Sequence, residues 1–189
     1  MRYKERDEEY RQVFIVLVDI LERIQKIIKV WSIIYIDESG IDHNEVKSQC
    51  WSPVGQPTPS EQYWYKYKRT TLLAWVRWYT VIAPLRFEWS TNTEIFNTWI
   101  EECLSEEIQL GDVVVMDNAS FHKSEKTRLL IERRGARLLY LPPYSPDLNP
   151  IENYWALLKL YVRKWNTSFE IFYQVLDEFM SREKWCYLS

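Results

Sequence analysis

An α/β fold, with a mixed central sheet flanked by helices, is predicted by two features of the sequence. Strand-like segments lie next to one another in the first half, and strands alternate with helical segments in the second. At 189 residues, with 47% hydrophobic and 27% charged residues, the chain is long enough for one domain with a substantial core and short for two.

Residues 5–29 place Phe14, Leu17, Leu21, Ile24 and Ile28 three and four apart, which predicts an amphipathic helix despite many β-branched residues. The run WSIIYIDES then reads as a buried strand that ends in acid, and WSPVGQPTPS, with three prolines and a glycine, must be loop. TTLLAWVRWYTVIAPLRFEW predicts two strands in a hairpin, although neither Asn-Gly nor Asp-Gly marks its turn. Residues 93–107 carry Ile95, Phe96, Trp99, Ile100, Cys103 and Leu104 on one stripe behind a Thr cap, the pattern of a surface helix. DVVVMDN repeats the strand-then-acid pattern, SEKTRLLIERRG predicts a helix closed by Gly135, and ARLLYL is the last strand. A helix from Pro150 to about Trp165 follows. The expected organisation is a leading amphipathic helix over 1–30, a core domain over 31–165 and a C-terminal helical extension over 166–189.

Between the last strand and that helix, YLPPYSPDLNPIENYW sets Pro142, Pro143, Pro146 and Pro150 within nine residues. Each proline forces extended or turn geometry on its predecessor, so the strand cannot run on into the helix. Asn149 is a good N-cap, Pro150 suits the first helical position, and Glu152 stands three residues after the cap, a capping box in form. Taken alone, Glu152 reads equally well as part of a cap.

Two other acids share its situation. Asp37 ends IIYID and Asp117 ends VVVMD. If those strands are parallel neighbours, their aspartates come side by side where ligand chemistry gathers in such sheets, and Glu152, three residues before Trp155, joins them. Each aspartate by itself also reads as a turn or cap residue. Three converging carboxylates repel unless protonated or neutralised, and hard oxygen ligands suit Mg²⁺ or Mn²⁺. Two such ions about 3.5–4 Å apart can activate water and stabilise a leaving oxygen in phosphodiester cleavage.

Other chemistries fare poorly. With two histidines, four glycines and no G-x-S-x-G, a histidine-rich zinc site, a glycine-rich phosphate loop and a nucleophile elbow are all disfavoured. Three widely spaced cysteines suggest neither a disulfide framework nor a zinc site and fit a reducing compartment. The densely charged start and the short run VFIVLV give no membrane span or signal core, so a cytoplasmic protein is expected, nucleoid-associated if bacterial. The formal charge of −3 argues mildly against a dedicated nucleic-acid binder, whereas local clusters of Lys and Arg argue the other way. The ten Trp, thirteen Tyr and seven Phe read chiefly as core, with base stacking as the alternative.

The segments YIDESG, VVVMDNASFHKS and LLYLPPYSPDLNPIENYWALLK resemble the catalytic region of the IS630/Tc1/mariner superfamily of DDE transposases, and WSPVGQP resembles the Trp-Gly loop after that family's first acid. Thirty-four residues separate Asp117 from Glu152, the spacing of one large branch, and the resemblance covers roughly residues 31–165. It implies an RNase H-like fold, with Asp37, Asp117 and Glu152 as the catalytic triad holding two Mg²⁺ or Mn²⁺ ions. The implied reaction cuts transposon ends and joins the freed 3′ hydroxyl to target DNA, typically at TA, in a homo-oligomer. Asn118, Ser120 and His122 match the motif beside the second acid and, with Asn149, are expected to support the acids or face DNA. Lys66, Lys68, Arg69, Lys159, Arg163 and Lys164 are the expected contacts to the DNA backbone. The prolines resemble a rigid frame for the third carboxylate.

Two departures qualify the resemblance. Members usually carry helix-turn-helix domains ahead of the catalytic domain, and only about thirty residues precede Asp37 here, so the chain is expected to be either the second frame of a two-frame element, joined by frameshifting to an upstream product that supplies end recognition, or a truncated remnant. The hairpin also lacks a glycine-rich turn. The alternatives are an inactive remnant or DNA-binding regulator and, third, a structure-selective nuclease.

Overall fold

The computed structural model describes residues 6–43, 54–55, 69–77, 80–165 and 171–180. Among the described residues the sheet has five strands: β1 (Ile33–Asp42), β2 (Arg69–Arg77), β3 (Thr80–Phe87), β4 (Val113–Met116) and β5 (Arg137–Tyr140), in the order β3-β2-β1-β4-β5. β1, β2 and β3 pair antiparallel, whereas β4 and β5 run parallel to β1, so the sheet is mixed as the sequence predicts. Among the described residues no helix is long and apolar enough to cross a membrane.

Period-two alternation sorts the strand side chains into two faces. Ile34, Ile36, Leu73, Trp75, Val114 and Met116 meet α2 (Thr93–Trp99), the π-helical turn that continues it over Ile100–Leu104, and α3 (Glu125–Glu132). On the other face, Leu72, Ala74 and Val76 pack with Trp155, Leu158 and Val162 of α4 (Ile151–Trp165) and with Phe172 and Leu176 of α5 (Phe172–Met180). Beside them, Ile33, Tyr35, Val113 and Val115 pack with Phe14 of α1 (Glu8–Ile28).

Three local expectations change. α1 forms, but its buried stripe is Phe14, Val18 and Leu21 with Arg11 and Gln25; Leu17, Ile24 and Ile28 face outward. The helix is apolar on two neighbouring faces, so spacing alone could not say which one meets the sheet. α2 is capped by the Asn92 side chain, which accepts from Ile95 N at 2.9 Å, rather than by a threonine. Cys103 is disulfide-bonded, contrary to the expectation from cysteine spacing, and its partner lies outside the described residues.

The end of the sheet opposite the acids is fixed by a buried carboxylate. Asp112, fully buried just before β4, accepts from Ser32 N at 2.7 Å and Gln109 N at 2.9 Å and pairs with Arg77 Nη2 at 2.7 Å. Two backbone N–H groups, the Ser32 hydroxyl and the Arg77 guanidinium converge on it, which is what lets a charge sit there.

Candidate active site

The parallel register of β1 and β4 sets Ile33 opposite Val113 and Tyr35 opposite Val115. Continued by two residues, it brings Asp37 beside Asp117, one residue past the end of β4. Both aspartates share the parity of Tyr35 and Val115, so both belong to the face covered by α1 and α4. Asp37 does not end its strand, as the sequence suggested. β1 runs on to Asp42 because β2 keeps pairing with it, Asp37 opposite Ala74, after β4 has stopped. The aspartates therefore meet where the two strands part.

α4 completes the cluster. Its buried stripe is Ile151, Trp155, Leu158 and Val162, and the Trp155 Nε1–H donates to Asp37 Oδ2 at 3.2 Å. Glu152, nearly one turn earlier, is exposed at the helix start rather than on that stripe. Burial, then the charge of Glu152, then that of Asp117 push the Asp37 carboxyl up to about 8, against the Glu38 backbone N–H and the Trp155 indole. Burial also works to raise Asp117, but hydrogen bonds from His122 and Ala119 and the charges of His122 and Lys123 outweigh it and hold the carboxyl below its usual range. Glu152, exposed by its surface, is raised by the partial desolvation of its carboxyl beside the other acids, with Lys159 opposing and Asp117 adding to the rise. The three carboxylates thus feel one another. Among the described residues, however, no three His, Cys, Asp or Glu side chains are placed to close together on a metal ion.

The supporting residues have distinct placements. His122 Nδ1 donates to Asp117 Oδ1 at 2.6 Å, and Ala119 N donates to the same oxygen at 2.9 Å. The His122 ring is buried between Phe96 and Phe121, with centroids 4.3 and 4.1 Å away. Asn118 Nδ2 donates to the Leu141 carbonyl, which ties the end of β4 to the start of the proline segment. Ser120 is exposed at the start of a 3₁₀ turn, Ser120–Lys123. Asn149 is buried and does not face a ligand from outside; its Oδ1 accepts from Ile151 N at 3.4 Å. The reciprocal half of the capping box is replaced, since Asn149 N donates to Pro146 O at 2.9 Å. That bond belongs to a second 3₁₀ turn, Pro146–Leu148, beneath which Ser145 Oγ donates to Pro143 O at 3.0 Å. Arg11 clamps the same segment through Asp147, Nη2 to Oδ2, at 2.9 Å.

The cationic candidates separate. Lys66 and Lys68 lie outside the described residues, and Arg69 is exposed at the start of β2, in register with Asp42. Lys159 is half-buried and close enough to act on Glu152. Arg163 and Lys164 sit in the last turn of α4, roughly 16 Å along the helix from Glu152. The arginines at 133, 134 and 137 lie at the far end of the sheet, since Arg137 opens β5 opposite Val113, and do not surround the acids. Sequence reasoning placed Trp155 only as core and overlooked its indole N–H and the charge of Lys123. The signal for the former was present: a tryptophan on a buried stripe needs a partner for its N–H, and an acid-rich strand lay beneath it.

The family model described as DDE superfamily endonuclease matches residues 32–175. The chain is similar to the Transposable element Tc3 transposase of Caenorhabditis elegans, 43% identical over 53 residues, which are 28% of this chain and 16% of that protein. It is similar too to the Tc1 transposase of the same organism, 38% identical over 65 residues, 34% of this chain and 24% of that protein. Among solved structures it resembles the mariner Mos1 paired-end complex with Mg, at a TM-score of 0.62 and 17% identity, over 96% of this chain and 63% of that one. The catalytic domain of Mos1 mariner transposase gives a TM-score of 0.54 at 16% identity, over 96% of this chain and 94% of that one. At such identities the likeness is one of fold, and the fold is RNase H-like. The chain spans less than two thirds of the length of the Tc3 and Tc1 transposases and of the Mos1 chain in the paired-end complex.

Proposed function

The chain belongs to the DDE superfamily endonuclease family, and from that membership we propose that it is the catalytic domain of a DNA transposase, with Asp37, Asp117 and Glu152 as its metal-holding triad. The observation that carries this reading is the register that brings Asp37 and Asp117 side by side, with the charge of Glu152 reaching Asp37. The donor set fits Mg²⁺ or Mn²⁺: three carboxylates supply hard oxygens, and their mutual repulsion is what a cation relieves. Two bound ions would supply an activated water and a stabilised leaving oxygen for in-line phosphodiester chemistry.

The chain's own residues prepare that site. His122 and Ala119 hold Asp117 through a single oxygen, Oδ1, which fixes the carboxylate plane and keeps it ionised. Trp155 holds one oxygen of Asp37 from α4, so the helix that presents Glu152 also grips the first acid. The proline segment, tied by Asn118 and Arg11, sets where α4 begins and hence where Glu152 stands. The substrate on this reading is DNA at transposon ends and a target site, typically TA, with recognition supplied by a helix-turn-helix segment and with the active form a homo-oligomer.

With Lys123 and Lys159 as the basic groups whose charge reaches the acids, the chain alone is expected to bind duplex DNA weakly, with little sequence preference and with affinity that falls as salt rises. Titration with end-containing and scrambled duplexes at two salt concentrations, with Mn²⁺ present, checks this. Tight, salt-insensitive preference for the end sequence would mean that a recognition element lies within these residues, and no binding at all would count against a DNA substrate.

A further inference from the structure

α1 carries a second apolar stripe that the sheet does not use. Val13, Leu17, Ile20, Ile24 and Ile27 recur every three and four residues, and all five are between 38% and 82% exposed; Tyr10, three residues before Val13, continues the spacing with its ring 37% exposed while its hydroxyl donates to Tyr140 O of β5 at 3.1 Å. This is a heptad seam over a 21-residue helix roughly 31 Å long, next to the stripe through Phe14, Val18 and Leu21 that meets the sheet. A seam of this length and spacing is what one helix offers another; a chain with no partner there would leave a continuous apolar surface in water.

The charges along α1 select the partner. Asp7, Glu8 and Glu9 stand at its start, and Lys26 and Lys29 at its end. A copy of the same helix laid antiparallel brings each acidic start beside the other's basic end and opposes the two helix dipoles, whereas a parallel copy stacks like charge on like. The spacing is self-complementary in that orientation too. With the two-fold axis between Leu17 and Ile20, the layers pair Leu17 with Ile20 and Val13 with Ile24 of the copy, and Ile27 meets the ring of the copy's Tyr10, so each of the five finds an apolar partner.

We propose that two copies of this chain associate through an antiparallel α1–α1 pair, on the lateral face of α1 beside the one that meets the sheet. The contact is independent of the acids and does not rest on their catalytic assignment. The pairing also places the two copies with their proline segments linked to the dimer through Arg11, which holds Asp147 from the same helix.

Sedimentation equilibrium of the full chain tests it. The wild-type chain forms a dimer at micromolar concentration. Ile20→Glu and Leu17→Lys each put unpaired charges into the central layers, and each alone raises the dimer dissociation constant by about 100-fold or more. Both positions are exposed, so the monomer keeps its fold, checked by circular dichroism. Mixing the two variants restores a heterodimer, because an antiparallel pair sets Glu at 20 in one chain against Lys at 17 in the other; a parallel pair would not. A monomeric wild-type chain, single variants that remain dimeric, or a mixture that stays monomeric would each overturn the proposal.

Discussion

Asp117→Asn is expected to lower metal-dependent nicking of supercoiled DNA by about 10³-fold or more while the domain stays folded. An amide at 117 keeps an oxygen for the bonds from Ala119 N and His122 Nδ1, so the local turn survives. What it loses is the negative charge, and the charge is what a cation needs. Asp117 is also the acid whose surroundings hold it ionised, against burial, at the pH of an assay. Single-turnover nicking in Mn²⁺, alongside thermal melts of both proteins, checks the result. A variant that nicks at the wild-type rate would remove Asp117 from the triad.

Asp37→Asn should stabilise the metal-free chain, and should do so increasingly with pH. The Asp37 carboxyl titrates near 8 in the folded chain against 3.8 as the ordinary value, so between about pH 4 and 8 the folded state holds a proton that the unfolded state has released. Stability therefore falls as pH rises through that window and levels off above it. Asparagine is neutral throughout and retains an oxygen for the Trp155 indole. The expected melting temperatures are close at pH 5, with the variant higher by about 5 °C at pH 8. Mn²⁺ should erase the gap by stabilising only the wild type through mass action. A gap that is independent of pH, or reversed, would mean that Asp37 is not strained by its neighbours.

Much of this arrangement was legible before any coordinates. Strand-then-acid runs at Asp37 and Asp117 located the two sheet positions, because β-branched runs and period-two alternation are local signals. The proline segment located the start of α4 for the same reason. Long-range pairing was not legible. Nothing near Asp37 tells that β2 will carry β1 five residues further, and nothing near Asp112 tells that Arg77 will neutralise it. The face of α1 that docks depends on a choice between two apolar stripes, which only the sheet surface decides. Asn149 looked like a residue that could face DNA because its cap role fixes the backbone but says nothing about what later covers the side chain.

The most direct test is calorimetric titration of Mn²⁺ into the purified chain, beside the Asp37→Asn/Asp117→Asn/Glu152→Gln variant. If the three carboxylates hold the cations, the wild-type chain binds Mn²⁺ with measurable heat and releases protons at pH 7, because Asp37 must give up the proton it holds below about 8. The triple variant shows neither. Equal Mn²⁺ binding by the two proteins, with no proton release, would contradict a metal site built on Asp37, Asp117 and Glu152.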